Sequence, residues 1–140
     1  MCKKLDISIL KGKTLVKIDL DVKMKYIRFI DSEGNKYIMF HEQDCCEEVY
    51  IESISGKIDY LLNTPITMAE CVTKKEECGE DDWGTATWTF YKLATIKGYV
   101  TIRWYGESNG YYSEEVDFGI EEDDDIWNPE EDIVDLSKRQ

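Results

Sequence analysis

Residues 85–93 read TATWTFYKL, residues 99–105 read YVTIRWY and residues 108–118 read SNGYYSEEVDF. In the first, Ala86, Trp88 and Phe90 alternate with Thr85, Thr87, Thr89 and Tyr91; in the second, Val100, Ile102 and Trp104 alternate with Tyr99, Thr101, Arg103 and Tyr105. A period of two is that of a strand with one buried and one solvated face. Asn109-Gly110 is a favoured pair for a two-residue hairpin turn, because both positions need positive φ. Tyr111 to Phe118 is therefore read as a third strand that closes a meander, with Tyr112, Val116 and Phe118 inward. An antiparallel sheet is expected.

Upstream, Thr14 to Leu20 and Tyr26 to Asp31 read as strands. Ser32-Glu33-Gly34-Asn35 is a turn in which Gly34 or Asn35 can take positive φ, and Lys36 to Phe40 returns as the partner strand. Asp44 followed by Glu47 has the spacing of a helix capping box, so one helical turn is expected there, then a short strand. Lys57 to Leu62 suits a short helix, Asn63-Thr64-Pro65 ends it, and Ile66 to Val72 is a strand. The charged stretch Thr73 to Gly84 reads as a mobile exposed loop. Asn128-Pro129 followed by three acids, with Lys138 and Arg139 near the end, reads as a C-terminal helix. The expected fold class is α+β: mainly antiparallel sheet of about six or seven strands, one or two short helices and a C-terminal acidic helix.

The chain has 140 residues, which suits one domain (1–118) with an acidic tail (119–140) and leaves no room for separate cofactor and substrate domains. No apolar run approaches a membrane span and no export signal opens the chain, so a cytoplasmic protein is expected, with no membrane contact. Five cysteines, an odd number, then argue for reduced thiols and no structural disulfide. Acids outnumber Lys plus Arg by 30 to 17, a net charge of −13. Residues 1–43 carry nine basic and six acidic side chains, so residues 44–140 carry 17 − 9 = 8 against 30 − 6 = 24. Such an asymmetric molecule repels nucleic acid and attracts proteins that bind it. Direct DNA binding is not expected unless Lys11, Lys13, Lys17, Lys23, Lys25 and Arg28 form a separate patch.

Two segments carry a resemblance: His41-x-Gln43-Asp44-Cys45-Cys46-Glu47 and Gly98-Tyr99-Val100-Thr101-Ile102-Arg103-Trp104-Tyr105-Gly106-x-Ser108-Asn109-Gly110-Tyr111-Tyr112-Ser113. Together they resemble a family of small uncharacterised proteins of bacteriophages, prophages and bacteria, over about Thr14 to Phe118. The resemblance implies a viral setting and supplies no catalytic residue. The acidic tail lies outside the pattern.

Four chemistries compete with blander readings. His41, Cys45, Cys46, Cys71 and Cys78 are zinc-type ligands, with His41, Cys45 and Cys46 the nearest to a set, but Cys45 and Cys46 are adjacent and Cys71 and Cys78 seven apart, which does not fit the two-to-four-residue spacing of structural zinc sites. The plainer reading has a cysteine packed as a small apolar residue and His41 hydrogen-bonded at the junction. A helix N-terminus would activate Cys45 or Cys46 as a nucleophile, whereas Glu42, Asp44, Glu47, Glu48 and Glu52 would raise the thiol pKa. No phosphate loop, nucleotide fingerprint or nucleophile elbow is present, so no cofactor and no enzymatic activity are expected.

Arg103 with Tyr91, Tyr99, Tyr105 and Tyr111 could take an anionic nucleotide on an outward sheet face, joined by Thr101 and Ser113. The same face suits a homodimer, or merely a solvated strand surface. The leading expectation is a non-enzymatic phage accessory protein that inhibits a host defence component, such as a CRISPR effector or another nucleic-acid enzyme. It would act in the host cytoplasm by DNA mimicry, through Asp123, Asp124, Asp125, Glu130 and Glu131. The bland alternative is that the charge maintains solubility.

Overall fold

The computed structural model describes residues 2–77, 84–121 and 133–135. In chain order the strands are β1 (Cys2–Lys4), β2 (Leu15–Asp21), β3 (Tyr26–Asp31), β4 (Lys36–Phe40), β5 (Glu48–Ser55), β6 (Met68–Glu77), β7 (Thr85–Thr95), β8 (Gly98–Ser108), β9 (Asp117–Glu121) and β10 (Ile133–Asp135). They form a six-stranded sheet of order β1-β9-β4-β3-β2-β10 and a four-stranded sheet of order β5-β8-β7-β6. Every ladder between these strands is antiparallel.

The two sheets share one core. Leu15, Ile18, Ile27, Phe29 and Tyr37 of the first meet Ile51, Leu93, Val100, Ile102 and Trp104 of the second, all essentially excluded from water. Ile7, Leu10, Leu61 and Ile66, from the 3-10 turns and a loop, plug the flanks. At roughly 1.5–3 kcal/mol for each fully buried large apolar side chain, this cluster is the main stabilising term.

The strands β3 and β4 match the expected segments, and Gly34 supplies the positive φ of their hairpin, at +89°. The Asp31 carboxylate accepts N–H bonds from Glu33 and Asn35, the Asn35 amide and the Tyr37 hydroxyl, which locks that turn. Burial pushes the Asp31 carboxyl up, but these donors outweigh it and hold it below the usual range. Tyr37 is pushed up to about 12, by burial and then by Asp31.

The α+β expectation is overturned. Among the described residues there is no α-helix, only 3-10 turns at Ile7–Leu10 and Ile58–Leu61. The second of these takes the place of the expected Lys57 to Leu62 helix. Residues 133–135, expected within the acidic C-terminal helix, form strand β10 against Asp19, Leu20 and Asp21; the expected helix start at Asn128 lies outside the described residues. No helix at Asp44 forms either: residues 41–47 have no regular structure.

Two further expectations fail for pairing reasons. Residues 73–77 are not loop but strand, continuing β6 against Thr85 to Thr89. Their charges suit a solvent-exposed edge, where they discourage pairing with other chains. Residues 111–118 do not close a meander on β8, because β8 is already flanked on both sides by β5 and β7. The chain crosses instead to the other sheet, where β9 pairs β4 and β1. No helix among the described residues is long and apolar enough to cross a membrane.

Candidate functional site

The four-stranded sheet is one continuous stretch of chain, β5 to β8, inserted between β4 and β9. Because Phe40 pairs Asp117 and Glu48 pairs Glu107, the two crossings, residues 41–47 and 109–116, run side by side. His41 buckles them. Its Nδ1 lies 2.6 Å from the Glu115 carbonyl and its Nε2 2.6 Å from the Glu47 carboxylate, with the ring only 4% exposed. Both ring nitrogens face acceptor oxygens, one from each crossing.

Glu47 is the hub of the first crossing. Its carboxylate accepts the backbone N–H groups of Asp44 and Cys45, and the Gln43 amide donates to the Cys45 and Glu47 carbonyls. The reach from Glu47 back to the Asp44 N–H is half of the expected capping box, made without a helix. Burial raises the Glu47 carboxyl, but the Cys45 N–H, His41 and the Asp44 N–H together hold it down at about 2.

Cys45 and Cys46 are exposed at the tip of this loop and joined to each other as a vicinal disulfide. That corrects the expectation of no structural disulfide. Both His41 nitrogens are already engaged, and among the described residues no group of His, Cys, Asp and Glu is placed to hold a metal ion. Cys71 is a free, exposed thiol, pushed up by burial of its sulfur.

The second crossing is held by Glu114, a buried residue. Its carboxylate accepts from Thr85 Oγ1 at 2.6 Å, Thr87 Oγ1 at 2.7 Å and Ser108 Oγ. No local pattern announces it, since its partners lie on two other strands.

The residues expected to share an outward Tyr/Arg face separate. Thr89 pairs Trp104 and Tyr91 pairs Ile102, so the threonines of β7 and Tyr91 point inward, and Tyr91 is 3% exposed. Tyr91 therefore leaves the candidate face, and Trp88 and Phe90 join it. There Tyr50, Tyr105 and Trp88 form a row across β5, β8 and β7, with ring centroids 5.9 Å and 4.6 Å apart. The Arg103 guanidinium lies 5.2 Å from the Trp88 ring centre and forks onto Glu52 through two hydrogen bonds of 2.9 Å. Tyr99, 71% exposed, is on the same face, whereas Tyr111, 83% exposed, belongs to the second crossing, packed edge-on to Tyr112. Trp88, Phe90, Tyr50 and Glu52 were missed because the face a strand presents is set by its neighbours. Asp123, Asp124, Asp125, Glu130 and Glu131 lie outside the described residues.

No curated protein and no solved structure matches the chain. Residues 8–118, which span both crossings and most of both sheets, match the family described as "Domain of unknown function (DUF7448)", and the chain belongs to that family.

Proposed function

We propose that this chain is a non-enzymatic, phage-type accessory protein that binds and inhibits a nucleic-acid-binding component of host defence, such as a CRISPR effector, by presenting carboxylates where the partner takes phosphates. One observation carries the reading: residues 105–136 hold thirteen acids and no Lys or Arg. A field of that sign speeds association with basic surfaces and disfavours direct contact with nucleic acid. The side chains that chemistry would need support it indirectly, because His41, Glu47 and Glu114 are spent on holding the two crossings. Sequestration of an anionic nucleotide on Arg103 is the weaker reading, since the Arg103 fork is occupied by Glu52.

The test must spare the sheet: β9 runs to Glu121 and β10 pairs β2, so deletion of 119–140 would remove sheet pairing as well as charge. The variant that changes Asp123, Asp124 and Asp125 to Asn and Glu130 and Glu131 to Gln removes charge alone. It should keep the melting midpoint and lose inhibition in infected cells. Full inhibition by the neutralised variant would overturn the proposal.

A further inference from the structure

Along the inner face of β6, beyond the reach of the six-stranded sheet, the 109–116 crossing forms the opposite wall of a groove of about 920 Å³. A second pocket of about 320 Å³ shares Cys71 and Val116 with it, so the two lie next to each other along β6 and are taken together as a slot. The slot follows β6 from Ala69 to Lys75, about 20 Å at the rise of a strand. Its walls differ along that length. One end is floored by Leu5, Ile7, Val116 and Phe118, with Asp6, Glu70 and Asp117 among its lining. The other end is walled by Thr73, Thr85, Thr87 and Thr89, with Glu76, Glu114 and Glu115. Lys75 is the sole cation among the described lining residues.

We propose that this slot is the docking site for an extended segment of the partner protein bearing lysine or arginine side chains at alternate positions. The proposal rests on the protein-binding reading above and places a contact distinct from the acidic tail. Four properties point to this occupant. The two pockets follow β6 from Ala69 to Lys75, the length of an extended segment of about seven residues. Its floor of Leu5, Ile7 and Phe118 suits the methylene stem of lysine, which buries its carbons while its charged head seeks a carboxylate. Asp6 and Asp117 line the same pocket as Tyr91, each carboxylate also accepting a backbone N–H, from Ser8 and Glu42 respectively, so two negative charges border that end. At the other end the Thr85 and Thr87 hydroxyls are given to Glu114, and the exposed Thr73 hydroxyl is the one left to serve a peptide backbone.

The test uses the full chain and a labelled alternating Ala–Lys peptide of about seven residues, long enough to span the slot in an extended form. Amide shifts should concentrate at residues 69–75, 85–91 and 111–118. Asp6→Asn combined with Asp117→Asn should weaken binding about tenfold, as loss of close charge pairs does. Lys75→Glu, at an exposed position, should tighten it. Shifts scattered elsewhere, equal affinity for an Ala–Gln peptide, or unchanged affinity in the Asp6/Asp117 variant would overturn the proposal. Failure here is separable from failure of the wider reading. If the slot variants inhibit fully while the tail variant does not, only the slot falls; if both inhibit fully, both fall.

Discussion

Each sheet carries one arginine–glutamate pair on the face turned away from the shared core, and the two sit in opposite surroundings. On the six-stranded sheet, Arg28 reaches Glu121 at 2.6 Å with side chains 6% and 0% exposed. Asp19, Asp21, Ile38 and Phe40 on that face are buried as well. On the four-stranded sheet, Arg103 forks onto Glu52 with side chains 42% and 30% exposed, among the aromatic rings of Tyr105 and Trp88. The same chemistry is thus internal structure in one sheet and surface in the other. Buried charges are costly to separate because neither can recover its hydration, while an exposed pair is largely replaced by water.

The contrast can be broken by experiment. Arg28→Met should show the largest loss, about 3–5 kcal/mol in urea denaturation, because it removes the buried cation that Glu121 meets. Adding Glu121→Leu should recover most of it. A loss below about 1 kcal/mol in the single variant would put Arg28 in the same class as an exposed pair.

The buckle between the crossings stands between the extremes. His41→Ala removes one ring that serves two acceptors and should cost about 1–3 kcal/mol. Glu47 gives this region a pH signature. Its folded value of about 2 lies below the ordinary 4.5, so its contribution is full above pH 4.5 and is lost as pH falls toward 2. The stability gap between the native chain and Glu47→Gln should therefore be widest near neutrality and close across that window. A gap that stays constant down to pH 2 would show that the bonds to Cys45, Asp44 and His41 do not hold the carboxylate.

Arg103→Ala should show the smallest effect, under about 1 kcal/mol, most of it lost packing on Trp88. Raising salt to about 1 M should shrink the Arg103 effect and leave the Arg28 effect in place, since screening reaches only exposed charges. Equal salt sensitivity would erase the distinction between the two faces.

Much of the fold was legible where the cause is local. The turn cluster between two apolar runs located β3 and β4, and the Gly34 turn followed from the need for positive φ. The capping-box spacing identified a real bond, Glu47 to the Asp44 N–H, while assigning it to the wrong structure, because the same side-chain reach serves a bend as well as a helix. The Cys45–Cys46 bond ran against an argument from cysteine parity and cellular setting, neither of which sees that adjacent side chains meet on one tight loop. The candidate face was half legible. Arg103, Tyr105 and Tyr99 share it as expected, but Tyr91 sits one register row away on the opposite face.

By itself the sequence determined that this chain is rich in antiparallel strands, where the β3–β4 hairpin turns, and that its acids collect in the C-terminal part. Period-two patterning, glycine sterics and charge counting are properties of neighbours along the chain. Only the tertiary structure decided which side of β7 faces inward, that residues 117–121 join the first sheet, and which acids are internal. Glu121 is internal because Arg28, 93 positions away, meets it, and Glu114 because Thr85, Thr87 and Ser108 converge on it. Those outcomes depend on which strand edges remain open once the others have paired, a constraint that no local stretch of sequence contains.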